Sequence, residues 1–318
     1  MEWTPLARQP RDGLAASVGE FITRHGQLVT GTYGSALLER DTDRLSIYTD
    51  GPTVLGVAAV SRLHHTDPEI ATACGRIAIT IPLLITAPEL PSAVVCHMVE
   101  QLVAASREKH GPHRVTVHQP AGRRPLNLAL QRAGFRADSA LSIAAINQVP
   151  HNRRLVGTTA VRPATAADAV EIGRIFRESL HTLTRLSPYV SFDEAAVSAI
   201  VARMGTCEGG RTAAGTYVDV ATDPRGSLLG VCEYSWSRSP SDRLTLLPSS
   251  LNGCVHWIGV TDRHRGRGVG HELVSHAAAM MRQQDARTLY AYHLIGENTA
   301  ERFWCRVGLS RAWVTWEL

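Results

Sequence analysis

The stretch Arg265-Gly266-Arg267-Gly268-Val269-Gly270 stands between a strand-like segment and a helix-like segment. Upstream, residues 254–260 read Cys-Val-His-Trp-Ile-Gly-Val, which is rich in β-branched and aromatic side chains. Downstream, apolar residues recur at helical spacing across positions 269–281. A glycine-rich turn between a strand and a helix exposes backbone N–H groups at the positive end of the helix dipole, where phosphate binds. The two arginines can add charge-assisted hydrogen bonds, so the stretch predicts an anion-binding turn.

The spacing of the glycines separates this turn from other phosphate-binding loops. Triphosphate loops end in Gly-Lys-Ser/Thr, which is not found here. Dinucleotide loops need Gly-x-Gly-x-x-Gly and an acidic residue at a strand end about twenty positions later, whereas Asp285 falls in the predicted helix. The pattern Arg-x-x-Gly-x-Gly, formed by Arg265, Gly268 and Gly270, resembles the pyrophosphate loop of the GNAT superfamily of acyl-CoA N-acyltransferases. The alternative is a solvated basic turn.

A later segment carries the same resemblance. Residues 298–309, Asn-Thr-Ala-Glu-Arg-Phe-Trp-Cys-Arg-Val-Gly-Leu, are similar to the family's helix that begins at an asparagine and ends in Gly-Phe or Gly-Leu. Residues 161–165, Val-Arg-Pro-Ala-Thr, are a common opening of such domains, so the resemblance covers 159–318. In the family this later helix flanks the pantetheine arm of CoA. The resemblance therefore implies these cofactor-binding residues: Ile258, Gly259, Val260, Arg265, Gly266, Arg267, Gly268, Val269, Gly270, Asn298, Phe303 and Trp304.

The two halves of the chain align at a constant offset of 174 residues. Leu-Gly-Val at 55–57 matches Leu-Gly-Val at 229–231, and Arg-Ala-Gly-Phe at 132–135 matches Arg-Val-Gly-Leu at 306–309. Such matches without a gap predict a tandem of two like folds. We therefore predict two domains, residues 1–150 and residues 151–318.

The first copy lacks the glycine turn. Pro91-Ser-Ala-Val94-Val-Cys96 stands where the second copy has Arg265 to Gly270, so Val94 and Cys96 carry side chains where a close phosphate favours glycine. We expect a degenerate first domain without a CoA pyrophosphate loop, which serves as packing support, as one wall of the acceptor cleft or as a dimer surface. A retained but altered ligand site is a further alternative. This organisation resembles mycothiol synthase and related tandem acyltransferases.

The fold class predicted for each domain is α/β, in the form of a twisted mixed central sheet flanked by helices. In the second half we expect helices near 166–180, 191–204, 268–284 and 298–307. Strands are expected near 159–163, 215–221, 228–237, 253–261, 287–293 and 311–317. Residues 181–192 would join the first two helices, and the resemblance implies that they form part of the acceptor pocket.

Two residues are candidates for the base that deprotonates an amine. The resemblance places a glutamate at position 256 in many relatives, and this chain has His256, whose ordinary pKa near neutrality suits proton transfer. Strand alternation predicts that His256 shares a face with Ile258 and Val260. Glu233, within Val-Cys-Glu-Tyr, is the other candidate, or could anchor the substrate's ammonium group. Either residue could instead be a satisfied structural group of a strand.

The resemblance also assigns a donor to the thioester carbonyl and an acid to the leaving thiolate. The donor would be a backbone N–H of Ile258 to Val260, in a strand that Gly259 allows to bulge. The position that carries an acidic tyrosine in many relatives holds Trp304, whose indole N–H is not a useful acid. Tyr292, Tyr290 or water could take this role. Thiolate leaves at neutral pH without an acid, so the reaction itself survives the change.

Composition excludes several other classes. The net charge of +4 is mild and the arginines are dispersed, which does not indicate nucleic acid. The six cysteines include no Cys-x-x-Cys pair, so no metal is expected. No apolar run reaches membrane-spanning length, and no export signal is visible at the N-terminus. We therefore expect a cytoplasmic protein without a membrane partner, and we leave a homodimer open.

These observations predict an N-acetyltransferase that moves an acetyl or short acyl group from CoA to the amine of a small molecule by direct attack on the thioester. The co-substrate would be acetyl-CoA or another short acyl-CoA. The alternative is a non-catalytic module that binds acyl-CoA, which the tryptophan at position 304 and the degenerate first copy leave open. A transferase that uses aminoacyl-tRNA is a third alternative, although such folds generally lack the CoA turn.

Overall fold

The computed structural model describes residues 3–5, 18, 20–21, 45–50, 53–64, 77–110, 114–122, 124–150, 160–188, 190–238, 247–248, 250–296 and 298–318. Within these ranges the strands are β1 Trp3–Pro5, β2 Leu45–Asp50, β3 Thr53–His64, β4 Ile77–Thr86, β5 Arg114–Pro120, β6 Arg136–Ala145, β7 Ala160–Pro163, β8 Tyr217–Thr222, β9 Leu228–Arg238, β10 Leu251–Val260, β11 Thr288–Leu294 and β12 Ser310–Glu317. The α-helices are α1 Ser92–His110, α2 Arg124–Arg132, α3 Ala169–Leu186, α4 Glu194–Met204, α5 Val269–Gln283 and α6 Asn298–Val307. None of these described helices is long and apolar enough to cross a membrane.

The strands form a single mixed sheet in the order β1-β2-β3-β4-β5-β12-β6-β11-β10-β9-β8-β7. The pairs β4–β5 and β10–β11 are parallel. The other neighbouring pairs are antiparallel. The α/β fold with a mixed central sheet is therefore confirmed. The strands expected in the second half are found with ends that differ by at most three residues from the predicted ones.

The offset of 174 residues recurs in the structure. Shifting β4 and β5 by this amount gives 251–260 and 288–294, which are the bounds of β10 and β11. The same shift places α1 over α5 and α2 over α6, with ends that differ by at most three residues. Each half therefore contains the same succession of strand, helix, strand, helix and strand.

The last strand of each half lies in the sheet of the other half. β6, from the first half, pairs with β11 of the second, where Ile143 lies opposite Tyr290. β12, from the second half, pairs with β5 of the first, and β6 and β12 pair with each other at the centre. An ion pair between Arg114 of β5 and the buried Glu317 of β12 fastens the second exchange. Neither half completes its sheet from its own residues.

Helices cover both faces of the second half. On one face α5 and α6 enclose a core that includes Val255, Leu273 and Leu289. On the opposite face, here called the α3 face, α3 and α4 pack over Trp257 and over the side chains that alternate with it. Alternation along β10 therefore decides whether a side chain enters the α5 core or the α3 face.

A local network fixes the start of α3. Asp168 accepts two hydrogen bonds from Arg162, each 2.8 Å long, and further bonds from the backbone N–H and hydroxyl of Thr165. The guanidinium of Arg162 lowers the pKa of Asp168. This ion pair anchors β7 to α3, the helix that covers the α3 face.

The strand exchange makes a prediction about fragments. Residues 151–318 produced alone would expose the edge of β11 that β6 covers, and would carry β12 without β5 and β6. Because open edges associate, we expect this fragment to aggregate or to exchange strands with another copy. Co-production with residues 1–150 should restore one soluble complex with one copy of each fragment, which size-exclusion chromatography with light scattering would detect. A monomeric fragment 151–318 with a cooperative unfolding transition would contradict the expectation.

Candidate active site

β10 contains one more residue than the stretch of β9 beside it. Val255 pairs with Tyr234 and Trp257 pairs with Glu233, so His256 forms a β-bulge between them. The sequence had suggested a bulge at Gly259, but the bulge falls at His256. Gly259 has a different role, because a Cβ there would lie 2.5 Å from Cγ2 of Ile175 on α3. The glycine lets the helix approach the sheet closely.

The bulge changes the face to which His256 belongs. Alternation predicted that His256 shares a face with Ile258 and Val260, but these two pack against the α5 core. Nε2 of His256 lies 2.8 Å from Oγ of Ser235, which is on the α3 face. The prediction is wrong because the extra residue reverses the alternation of side chains along the strand.

The same region separates β10 from β11. Their parallel ladder runs from Asn252–Thr288 to Val255–Ala291 and ends there among the described residues, although β10 continues to Val260. The ladder between β4 and β5 ends at the equivalent place, at Ile81–Val117. Beyond the bulge, backbone groups on one edge of β10 are therefore left for another partner.

Glu233 is a buried carboxylate held by three donors. Its side chain is 1% exposed. Oε2 accepts hydrogen bonds of 2.8 Å from Nη2 of Arg203 and from Nε1 of Trp257, and Oε1 accepts one of 2.6 Å from Oγ1 of Thr216. Buried charges persist when they are paired and hydrogen-bonded in this way. Glu233 thus joins the sheet to α4 through oxygens that are already engaged, which makes it a poor anchor for a substrate's ammonium group.

His256 is the accessible basic group of this face. Part of the ring is exposed to solvent, and the protein packed around the rest lowers its pKa from the ordinary value. The nearby charge of Glu233 opposes this shift, and that of Arg203 adds to it. A lowered pKa keeps the imidazole neutral at pH 7, with a lone pair that can accept a proton. Of the two proposed bases, the geometry favours His256.

Two tyrosines of β11 lie beside this histidine. Tyr290 is hydrogen-bonded to Cys254, and Sγ of Cys254 lies 3.9 Å from Nδ1 of His256. Burial raises the pKa of the Cys254 thiol to about 11 and also raises the pKa of Tyr290. The ring of Tyr292 lies 6.3 Å from that of Tyr290 and is 51% exposed. Tyr292 is therefore the more accessible phenol, whereas Cys254 is a protonated structural thiol.

The glycine turn leads from β10 into α5. A 3-10 turn at Asp262–His264 is followed by Gly266 and Gly268 with φ angles of +74° and +89°, in the left-handed region that favours glycine. The N–H of Glu272 donates to the carbonyl of Gly268, so the amides of Val269 and Gly270 precede the first intrahelical bond. The predicted strand, turn and helix are confirmed, and the amides at the start of α5 lie at the positive end of its helix dipole.

Charged and apolar residues complete the turn. Arg265 is held by an ion pair with Asp262 and by a 3.3 Å bond from its Nε to the carbonyl of Val260. Arg267 is exposed. A Cβ on Gly270 would lie 3.0 Å from Phe303 of α6, so this glycine also lets α6 pack against the start of α5.

The equivalent position in the first half is closed. α1 begins at Ser92, which corresponds to position 266 in the second half. The N–H groups of Val94 and Val95 both donate to the carbonyl of Pro91, at 2.9 and 3.2 Å. These residues correspond to Gly268 and Val269. Continuous helix therefore replaces the glycine turn, and the two amides are already paired.

α6 divides its residues between the turn and the core. Phe303 packs beside Gly270, with its ring 5.0 Å from that of His271. Trp304 lies in the α5 core and is 5% exposed, so its ring supports packing in this structure. The side chain of Asn298 lies outside the described residues.

Arg203, Thr216 and Ser235 belong to the site but were not predicted from the sequence. Arg203 and Thr216 reach Glu233 from a helix and a turn that are distant in sequence, and Ser235 reaches His256 from the adjacent strand. The only available signal was that Ser235 lies two residues from Glu233 and therefore on the same face of β9. Nothing in the sequence pattern indicated the other two.

Comparisons with known proteins agree with this geometry. Residues 177–309 match the model of the acetyltransferase (GNAT) family. A GCN5-related N-acetyltransferase from Sphaerobacter thermophilus superposes with a TM-score of 0.57 and 13% identity, over 98% of this chain and 94% of that one. A glucosamine N-acetyltransferase region of a fungal multi-domain β-N-acetylglucosaminidase gives 0.53 and 13%, over 97% of this chain but 37% of the fungal chain. At these identities the likeness concerns the fold alone. No curated protein matches the chain by sequence.

The region of residues 177–309 accordingly carries an acetyltransferase (GNAT) domain. The protein is therefore an acyltransferase, which favours the catalytic alternative over a module that only binds acyl-CoA.

The Glu233 network predicts a large effect on stability. Replacement of Glu233 by alanine leaves Arg203 as a mostly buried cation without its carboxylate, which typically costs about 3 kcal/mol of unfolding free energy. His256→Ala, at a partly exposed ring, should cost less than about 1 kcal/mol. Urea denaturation of both variants at pH 7 measures the difference. Equal losses of stability would contradict the structural role assigned to Glu233.

Proposed function

We propose that this protein is an N-acetyltransferase that transfers an acetyl or short acyl group from acyl-CoA to the amine of a small molecule. The observation that carries the proposal is the glycine turn. It places the amides that precede the first intrahelical bond of α5 directly after β10, a strand that bulges and separates from β11. The first half has the same separation of strands without the turn. The combination in the second half fits an elongated thioester whose diphosphate end is anionic.

The residues of the turn fit the CoA diphosphate. The amides of Gly268, Val269 and Gly270 would bind its oxygens at the positive end of α5. Arg267 and the remaining N–H groups of Arg265 would supply charge-assisted hydrogen bonds. The pantetheine arm would lie along the free edge of β10, between Ile258–Val260 and Phe303, where backbone N–H groups can bind its amides and the thioester carbonyl.

The reaction then requires one proton acceptor on the α3 face. The amine nitrogen attacks the thioester carbonyl carbon, the carbon–sulfur bond breaks, and the electron pair of that bond leaves on sulfur. His256 accepts the proton that the nitrogen loses, directly or through water. Ser235 and Cys254 hold its two ring nitrogens, and Glu233 stabilises the imidazolium ion by its charge.

Tyr292 is the proposed donor of a proton to the departing thiolate. It is the exposed phenol of β11, on the face that carries His256. Trp304 lies in the core and has no proton of suitable acidity to give. Because a thiol has a pKa of only about 8.5, its thiolate can leave without first gaining a proton, and this donor should affect the rate moderately.

We also propose that the chain has two domains, residues 1–150 and 151–318, and that the first does not bind CoA by a pyrophosphate loop. Its contribution to the site is β6, which covers the free edge of β11 beside Tyr290 and Tyr292. This role as one wall of the acceptor cleft is supported by the hydrogen bond of Ser187, after α3, to Asp138 of β6.

Substitution of Gly268 tests the CoA site. Valine at a φ of +89° distorts the turn and covers its amides, and loss of two hydrogen bonds to charged oxygens should weaken binding by roughly 100-fold. Gly226→Val is the matched control, because Gly226 has a φ of +84° in the turn between β8 and β9 with nothing within 4 Å of a Cβ. Calorimetry with acetyl-CoA compares the two. Unchanged affinity in Gly268→Val would refute the assigned site.

The proton acceptor is tested by the pH dependence of the rate. His256 is active when neutral and its pKa is lowered, so the fall of kcat/KM with acid should lie below the ordinary pKa of histidine. His256→Ala should reduce kcat by roughly 100-fold and remove this acid limb, because general base catalysis contributes that much. Release of free thiol from acetyl-CoA measures the rate. An unchanged acid limb in His256→Ala would show that another group takes the proton.

A further inference from the structure

The α3 face carries little uncompensated negative charge. The carboxylate of Glu233 is saturated by its three donors. On the helices that cover the face, Glu178 is paired with Arg174 and Glu194 with Arg177. At the rim of this face, Asp193 accepts from the N–H of Ala195 at the start of α4, and Asp138 accepts from the hydroxyl of Ser187. These carboxylates thus already have hydrogen-bond partners, which favours an acceptor without a cationic nitrogen.

Exposed apolar and aromatic side chains lie at the junction of α3 and α4 and on strand β11. Leu186 and Phe192, at the junction of α3 and α4, are 41% and 39% exposed, and Tyr292 on the facing sheet is 51% exposed. The ring of Phe192 stacks on His181 at 4.4 Å. The other large apolar side chains that are exposed among the described residues, Leu128 and Val170, lie on α2 and at the start of α3. Exposed rings that cluster at a site indicate an apolar partner.

The junction is held over the sheet by a specific contact. Ser187 follows Leu186 and donates a 2.6 Å hydrogen bond to Asp138 of β6, and the carbonyl of Asp138 accepts from the N–H of Ile295 just after β11. This chain of contacts places Leu186 above the end of the strand that carries Tyr292. An acceptor that approaches His256 from this end of the sheet would therefore meet aliphatic and aromatic surfaces.

On the basis of the proposed transferase activity, we propose that the acceptor is an arylamine, whose nitrogen carries no charge at neutral pH and whose ring packs between Tyr292 and the α3–α4 junction. The reaction forms the carbon–nitrogen bond of an anilide and releases CoA thiol. His256 takes the proton from the nitrogen as the bond forms, when that nitrogen becomes acidic.

The weakness of the base supports this class of acceptor. An alkylammonium group with the acidity of a lysine side chain is neutral in roughly one molecule in 2,500 at pH 7. Burial makes His256 a weaker base than a free imidazole, so it gives little help in removing that proton. An arylamine needs no proton removed before it attacks, and it gains stacking with the exposed rings.

Paired substrates test the proposal. The wild-type protein with acetyl-CoA is offered 4-methoxyaniline and 4-methoxybenzylamine, which share a ring and differ in the basicity of the nitrogen, together with spermidine and glucosamine. We expect kcat/KM for the aniline at pH 7 to exceed that for the benzylamine by about tenfold or more, since only a small fraction of the benzylamine is neutral. Between pH 7 and pH 8 the benzylamine rate should rise steeply while the aniline rate stays level.

Variants separate the role of the rings from other effects. Phe192→Ala should raise KM for 4-methoxyaniline several-fold with little change in kcat. Tyr292→Phe should keep the KM and Tyr292→Ala should raise it, which distinguishes the ring from the hydroxyl. Leu128→Ala, at an exposed apolar residue of α2, is the matched control and should leave both constants unchanged.

The outcomes distinguish the two levels of proposal. Thiol release with benzylamine, spermidine or glucosamine that equals or exceeds release with the aniline would overturn the arylamine proposal and leave the transferase intact. Binding of acetyl-CoA without thiol release from any amine would overturn the proposed function itself.

Discussion

The antiparallel pairing of β6 with β12 is the interaction on which the rest of the structure depends. Each strand ends one half of the chain and continues the sheet of the other, so the two halves form one sheet rather than two sheets in contact. If one half unfolded alone, the other half would lose the exchanged strand and be left with an open sheet edge. The two halves are therefore held in place together. The half of the chain without the glycine turn thereby completes the sheet of the half that has it.

The bulge at His256 connects this framework to chemistry. One extra residue in β10 moves the imidazole from the α5 core to the α3 face, and the ladder with β11 ends at the same place. The strand thus turns the proposed base, His256, toward the α3 face and leaves part of its edge open, where we propose that the co-substrate binds. On the same face the carboxylate of Glu233 is buried and engaged by three donors, whereas the phenol of Tyr292 is exposed.

Comparison of the halves separates fold from function. Both halves have the strand separation, and both have a helix after it, but in the first half the amides of Val94 and Val95 donate to Pro91. In the second half the left-handed glycines delay the start of the helix by three positions in the aligned numbering, and the corresponding amides precede the first intrahelical bond. A few side chains at one turn therefore decide whether the helix begins at once or after a glycine turn, while packing of strands and helices is common to both.

The sequence by itself determined the strand, turn and helix around Arg265–Gly270, the repeat at 174 residues and the positions of most elements, because these follow from local preference and short-range pattern. It also identified His256 and Glu233 as residues of interest. Only the tertiary structure decided that Glu233 is saturated by Arg203, Thr216 and Trp257, that His256 faces Ser235, and that the halves exchange their last strands. A repeated sequence pattern is compatible with two separate sheets or with one shared sheet. A β-bulge produces no periodic pattern in the sequence by which it could be predicted. The physical reason is that hydrogen-bond partners and strand neighbours are set by contacts between residues far apart in the chain.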